Sequence, residues 1–177
     1  MAESRDAFRQ APSAAVLRGD QPSQVVLVLG MHRSGTSAVT GALRLRGFAL
    51  GEDLMRPAPD NPKGFWEHAG IVALHDGVLE AIGRAWNDPR PLPEGWLSHP
   101  KVRAAQDDLE TLLRADFGAM KRWAVKDPRL CLLLPMWRPV LAALGVEARA
   151  LMVARHPGEV AASLRARNGC PEGLARL

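Results

Sequence analysis

Apolar residues recur along this chain with two different periods, and the alternation between them predicts its architecture. Gln24-Val-Val-Leu-Val-Leu29 is a continuous apolar run, the pattern of a parallel β-strand covered on both faces. Arg122–Lys126 and Glu147–Ala154 read as two further strands. Between them the spacing changes to that of helices: Ile71, Leu74, Val78, Leu79 and Ile82 predict one over Ala69–Arg84, with its apolar stripe on one side. Others are expected from about Gly35 to Leu45, ending at Gly47, and from Val102 to Arg114. A helix over Leu130–Leu144 should be interrupted or bent at Pro135 and Pro139, because proline removes an N–H and crowds the preceding turn. Pro157 suits the first turn of a last helix. The order β-α-α-α-β-α-β-α predicts an α/β sandwich around a central parallel sheet.

Residues 1–22 are polar, with Pro12 and Pro22, and read as a mobile tail before a single α/β domain over 23–177. Two proline-rich connections stand out: 51–65, with Pro57, Pro59 and Pro62, and the stretch holding Pro89, Pro91, Pro93 and Pro100. Long loops inside a compact domain are usually functional or disordered. No run reaches the roughly 18 apolar residues of a membrane span, and the charged N-terminus lacks a signal peptide's apolar core. Cys131 and Cys170 fit a reducing compartment, so a cytoplasmic location is expected. The net charge is +4, and only four of the 23 basic residues are lysine: Lys63, Lys101, Lys121 and Lys126. Arginine is the better bidentate ligand for phosphate. No block of like charge or basic-aromatic interleaving suggests a nucleic-acid partner.

The chemistry concentrates where the first strand ends. Gly30, four residues, Gly35, Thr36 and Ser37 form a glycine-bounded loop opening a helix. Successive backbone N–H groups and the helix N-terminus make such a loop a phosphate cradle. A nucleoside triphosphatase would carry lysine at position 36; here it is threonine, and the cation, Arg33, lies inside the loop. The loop predicts a P-loop-like, three-layer sandwich whose ligand is not an ordinary ATP or GTP. A second candidate lies at the carboxyl end of the last strand, where Arg155-His156-Pro157 precedes a helix carrying Ser163. Ligands of open α/β sheets gather at that edge, so Arg155 should open beside the loop. The alternatives are an ordinary strand-to-helix turn and a solvated helix start.

These segments resemble the sulfotransferases that use 3'-phosphoadenosine 5'-phosphosulfate (PAPS). His32-Arg-Ser-Gly-Thr-Ser37 is similar to the family's 5'-phosphosulfate loop except for its leading proline, and Arg155 with Ser163 has the spacing of the 3'-phosphate motif. Asn61-Pro-Lys-Gly-Phe-Trp-Glu67 resembles a segment of the bacterial-type branch. The resemblance implies sulfuryl transfer to a hydroxyl or amine of a small-molecule, carbohydrate or lipid acceptor, releasing 3'-phosphoadenosine 5'-phosphate (PAP) without a metal. It implies that His32, Arg33, Ser34, Gly35, Thr36 and Ser37 hold the 5'-phosphosulfate and that Arg155 and Ser163 hold the 3'-phosphate. Arg33 would stand where the family places a catalytic cation.

The acceptor must lose a proton. Glu67 is the first candidate base, against the alternative of a carboxylate favoured by a helix N-terminus; His68 is weaker, and His75 is expected on a helix face. Asp127 or Arg129 of Lys126-Asp-Pro-Arg129 shapes the site or forms a structural ion pair. Trp66, Trp86 and Trp96 line an acceptor pocket or anchor the core. The family usually continues into further helices and a basic, glycine-containing loop that this sequence does not match, so the domain is expected to be incomplete at its C-terminus. Two other functions remain open: a P-loop kinase or NTPase with Asp127 holding magnesium, and an inactive nucleotide-binding fragment. The sequence leaves the oligomeric state open.

Overall fold

A computed structural model describes residues 22–58, 61 and 64–168. The expected tail, but for Pro22, lies outside the described residues, as do Pro59, Pro62, Lys63 and the segment 169–177 with Cys170. Three strands, β1 (Gln24–Leu29), β2 (Arg122–Lys126) and β3 (Glu147–Met152), form a parallel sheet in the order β2-β1-β3. Among the described residues five α-helices flank it, α1 (Thr36–Leu45), α2 (Ala69–Ala81), α3 (Pro100–Phe117), α4 (Leu130–Leu144) and α5 (Pro157–Asn168), with a short 3-10 turn at Trp96–Ser98. The result is an α/β fold with helices flanking a three-stranded parallel sheet.

The register fixes which ends coincide. Val25 pairs with Trp123 and Ala148, and Val28 with Lys126 and Leu151, so all three strands deliver their following loops to one edge. Val25, Leu27 and Leu29 alternate onto the face that also buries Trp123 and Val125. There they meet Ile71 and Leu79 of α2, Leu109, Leu113 and Phe117 of α3, and Leu133, Met136 and Trp137 of α4. Phe117 stacks on Trp123 at 4.6 Å between ring centres, adding aromatic contact to area burial. β3 is different: its residues Arg149–Met152 are exposed, and Met152 is 66% accessible.

Several boundaries differ from the sequence expectation: β3 ends at Met152 rather than Ala154, and α3 runs on past Arg114 to Phe117. α2 stops at Ala81, where Ile82 and Gly83 turn the chain, and α3 starts earlier, with Pro100 in its first turn. The larger difference is α4, which runs unbroken through Pro135 and Pro139. Both prolines and Cys131 are exposed, so the carbonyls that lose partners lie on the solvent side. Buried Leu130, Leu133, Met136, Trp137, Val140 and Leu141 hold the opposite face.

Where β1 ends, Gly30 is pressed against β3's continuation. A Cβ there would stand 2.5 Å from the Val153 carbonyl oxygen and 2.8 Å from Thr36 Cγ2. Gly30→Ala must therefore push the loop away from β3. We expect it to cost about 1–3 kcal/mol, read as a Tm lower by several degrees in calorimetry; an unchanged Tm would show that the loop adjusts freely.

Candidate functional site

The loops after the three strands, together with Met55, Asn61, Phe65, Trp66, Glu67 and Trp86, line a cleft of about 820 Å³. Every loop residue from His32 to Ser37 lines it, as do Glu67, Lys126, Arg129 and Arg155. Gly35 caps α1 in a left-handed conformation, φ +95°, which glycine adopts without steric cost. Arg33 is also left-handed, φ +67°, an uncommon state for a residue with a side chain. Ser34 and Thr36 are buried, and Gly30 N–H donates to Cys131 Sγ at 3.1 Å.

Arg33 reaches across to α5, where its Nε donates to Ser163 Oγ at 2.9 Å. Arg155 donates to the Arg33 carbonyl at 3.3 Å and to Glu159 Oε2 at 2.7 Å. Ser163 touches the site through Arg33 rather than by lining the cleft. Arg33 thus meets Ser163 and Arg155, 130 and 122 residues away, and two guanidinium groups gather beside the loop.

On the other side of the loop lies Lys126, a residue the sequence reading passed over. It is 4% exposed and closes β2. Its ammonium donates to the Glu67 carboxylate, to the Phe65 carbonyl at 3.2 Å and to Ser37 Oγ at 3.5 Å. Those bonds account for its three donors. Its sequence signal was the same as that of Arg155: a cation at the carboxyl end of a parallel strand. Glu67 is 5% exposed. Burial pushes its carboxyl above the ordinary value, and the Lys126 charge and hydrogen bond only partly offset this.

The remaining candidates divide clearly. His68 caps α2: its Nδ1 accepts from Ile71 N–H, so Nε2 carries the proton and donates to Asp116 at 2.6 Å. Its polar atoms are thus engaged in holding α2 against α3. His75 lies on a face of α2, as expected, and that face is the buried one. Its Nε2 accepts from the Trp137 indole N–H at 2.8 Å, which assigns the proton to Nδ1, the donor to Asp127 at 2.8 Å. Asp127 also accepts from Arg129 N–H and from the Arg129 guanidinium, each at 2.9 Å. Arg129 in turn grips Asp76 through Nε and Nη2. Trp66 and Trp86 line the cleft, whereas Trp96 packs against the core.

No family model, curated protein or solved structure matches this chain.

Burial alone would raise the Asp127 carboxyl, but its bonds from His75 and Arg129 hold it well below the usual carboxylate range. An unfolded chain takes up that proton near pH 4, before the folded protein does. The stabilisation is therefore complete above that pH and is lost as pH falls toward the depressed folded value. We expect Asp127→Asn to lower stability at pH 7 by about 3 kcal/mol, with the gap to wild type shrinking below about pH 4 in urea titrations. A gap that stays constant with pH would contradict this assignment.

Proposed function

We propose that this domain transfers a sulfuryl group from PAPS to an acceptor hydroxyl or amine. The observation that carries the reading is the meeting of Arg33, Arg155 and Ser163 beside the glycine-bounded loop. Arg155 and Ser163 suit a 3'-phosphate, the group that separates PAPS from ATP, while the loop N–H groups and Arg33 suit the 5'-phosphosulfate. Donor binding would exchange the Arg33–Ser163 bond for bonds to phosphate and sulfonate oxygens. The acceptor oxygen or nitrogen forms a bond to sulfur, the bond from sulfur to the 5'-phosphate oxygen breaks, and the acceptor's proton passes to Glu67. The products are the sulfated acceptor and PAP. Arg33 stabilises charge on the leaving oxygen. Lys126 bridges Ser37 and Glu67, and so links the donor loop to the base. A P-loop-like three-layer arrangement and a cytoplasmic site of action belong to the same proposal.

The kinase alternative needs Asp127 to reach a metal. That carboxylate is 1% exposed and engaged by His75 and Arg129, which favours the sulfuryl-transfer reading.

Without magnesium, PAP at a hundredfold excess over its Kd should stabilise the protein by about 2.7 kcal/mol, a Tm rise of roughly 5–10 °C for a domain of this size. ATP should do far less, and equal protection by ATP would sink the proposal. Arg155→Ala should remove the preference for PAP. Arg33→Ala should lower kcat by about 10²–10³ while weakening PAP binding less.

The pH profile tests Glu67 separately. A base must be ionised to accept the proton, so kcat/KM falls as pH drops through its pKa. Because burial raises that value, the acid limb should lie above the ordinary carboxylate value of about 4.3. Glu67→Gln should cost about 10²–10⁴ in rate. An unchanged profile in that variant would assign the base elsewhere.

A further inference from the structure

We propose that the acceptor is an uncharged hydroxyl compound with a flat apolar face, seated against Trp66 and Trp86. The inference rests on the sulfuryl-transfer reading, which assigns Arg33 and Arg155 to the donor. Among the described residues lining the cleft, the remaining arginine and lysine are Arg129 and Lys126. Both are already committed. Lys126 directs its three donors to Glu67, Phe65 and Ser37. Arg129 is held by Asp76 on one edge and Asp127 on the other, with Glu67 Oε2 at 4.0 Å. Two cations thus face three carboxylates, Glu67, Asp76 and Asp127. An acceptor carrying a carboxylate or sulfate would find no uncommitted arginine or lysine among the described lining residues and would meet Glu67 in a partly desolvated cleft, where like-charge repulsion is strong.

The aromatic side of the cleft supplies the complementary attraction. Trp66 is left-handed, φ +58°, and with Arg33 it is one of two non-glycine residues in that state among the described residues. Both line the cleft. Such backbone costs about 1–3 kcal/mol and persists only where the surroundings impose it. Here the Phe65 carbonyl accepts from Lys126, and the Arg44 guanidinium stacks 5.0 Å from the Trp66 ring centre. Arg44 is outside the lining, whereas Trp66 is part of it. Trp86 is 37% exposed and stands edge-on to His32 at 4.9 Å. Two indoles beside a charge-compensated carboxylate fit a sugar ring or another neutral polyol with an apolar face.

The test compares phenyl β-D-glucoside with phenyl β-D-glucuronide, in which a carboxylate replaces the C6 hydroxymethyl group. Each is titrated into the protein saturated with PAP, following tryptophan fluorescence and calorimetric heat. The glucoside should bind at least tenfold more tightly. Trp86→Ala and Trp66→Asn, the latter because asparagine tolerates left-handed backbone, should each weaken it at least fivefold and leave the PAP thermal shift intact. Equal or tighter glucuronide binding, no glucoside binding, or unaltered affinity in both tryptophan variants would overturn the inference. If PAP itself fails to protect the protein, the sulfuryl-transfer reading fails instead, so the two failures are separable.

Discussion

A buried carboxylate organises this molecule. Asp127 follows β2 at the carboxyl edge of the sheet and is 1% exposed, a position in which an unpaired charge would be strongly destabilising. Its compensation comes from three directions: His75 of α2, backed by Trp137 of α4, and the backbone and guanidinium of Arg129 at the start of α4. Satisfying one charge therefore sets α2, α4 and the end of β2 relative to one another. It also sets Arg129, which lines the cleft and holds Asp76 through its outer edge.

The site inherits its geometry from that arrangement. Lys126 immediately precedes Asp127, and Glu67 lies just before α2, so the frame that orients the helix and strand also brings the ammonium and carboxylate together. His68, the next residue, fastens the same helix start to Asp116 of α3. One side of the cleft is thus charge-compensated and rigidly bonded. The other, with Arg33 and Arg155 around the loop, carries cations partnered by a hydroxyl, a carbonyl and one exposed carboxylate. On the sulfuryl-transfer proposal those weaker partners would be exchanged for the anionic donor, whereas the Asp127 array would stay intact.

Much of the fold was legible because it depends on local periodicity. The apolar run at β1, the helical spacing in α2 and the glycine-bounded loop all appear where the sequence predicts them. Pro135 and Pro139 do not interrupt α4, because the proline rule weighs the lost hydrogen bonds and not the face on which they fall. Four residues apart, both lie on solvent, and the buried face carries α4 through them. His75 stands on a face of α2, but its place there gives no hint that it will donate a hydrogen bond to Asp127, 52 residues away.

By itself the sequence determined the strands, the helices, the loop and the edge of the sheet on which its candidate chemistry gathers. These follow from side-chain period, glycine conformation and the direction of parallel strands. Tertiary structure alone decided that Lys126 would neutralise Glu67 across 59 residues, that Arg33 would find Ser163 across 130, and that Trp66 but not Trp96 would face the cleft. The physical reason is that a charge takes the partner that burial brings near it, and sequence spacing does not encode that proximity.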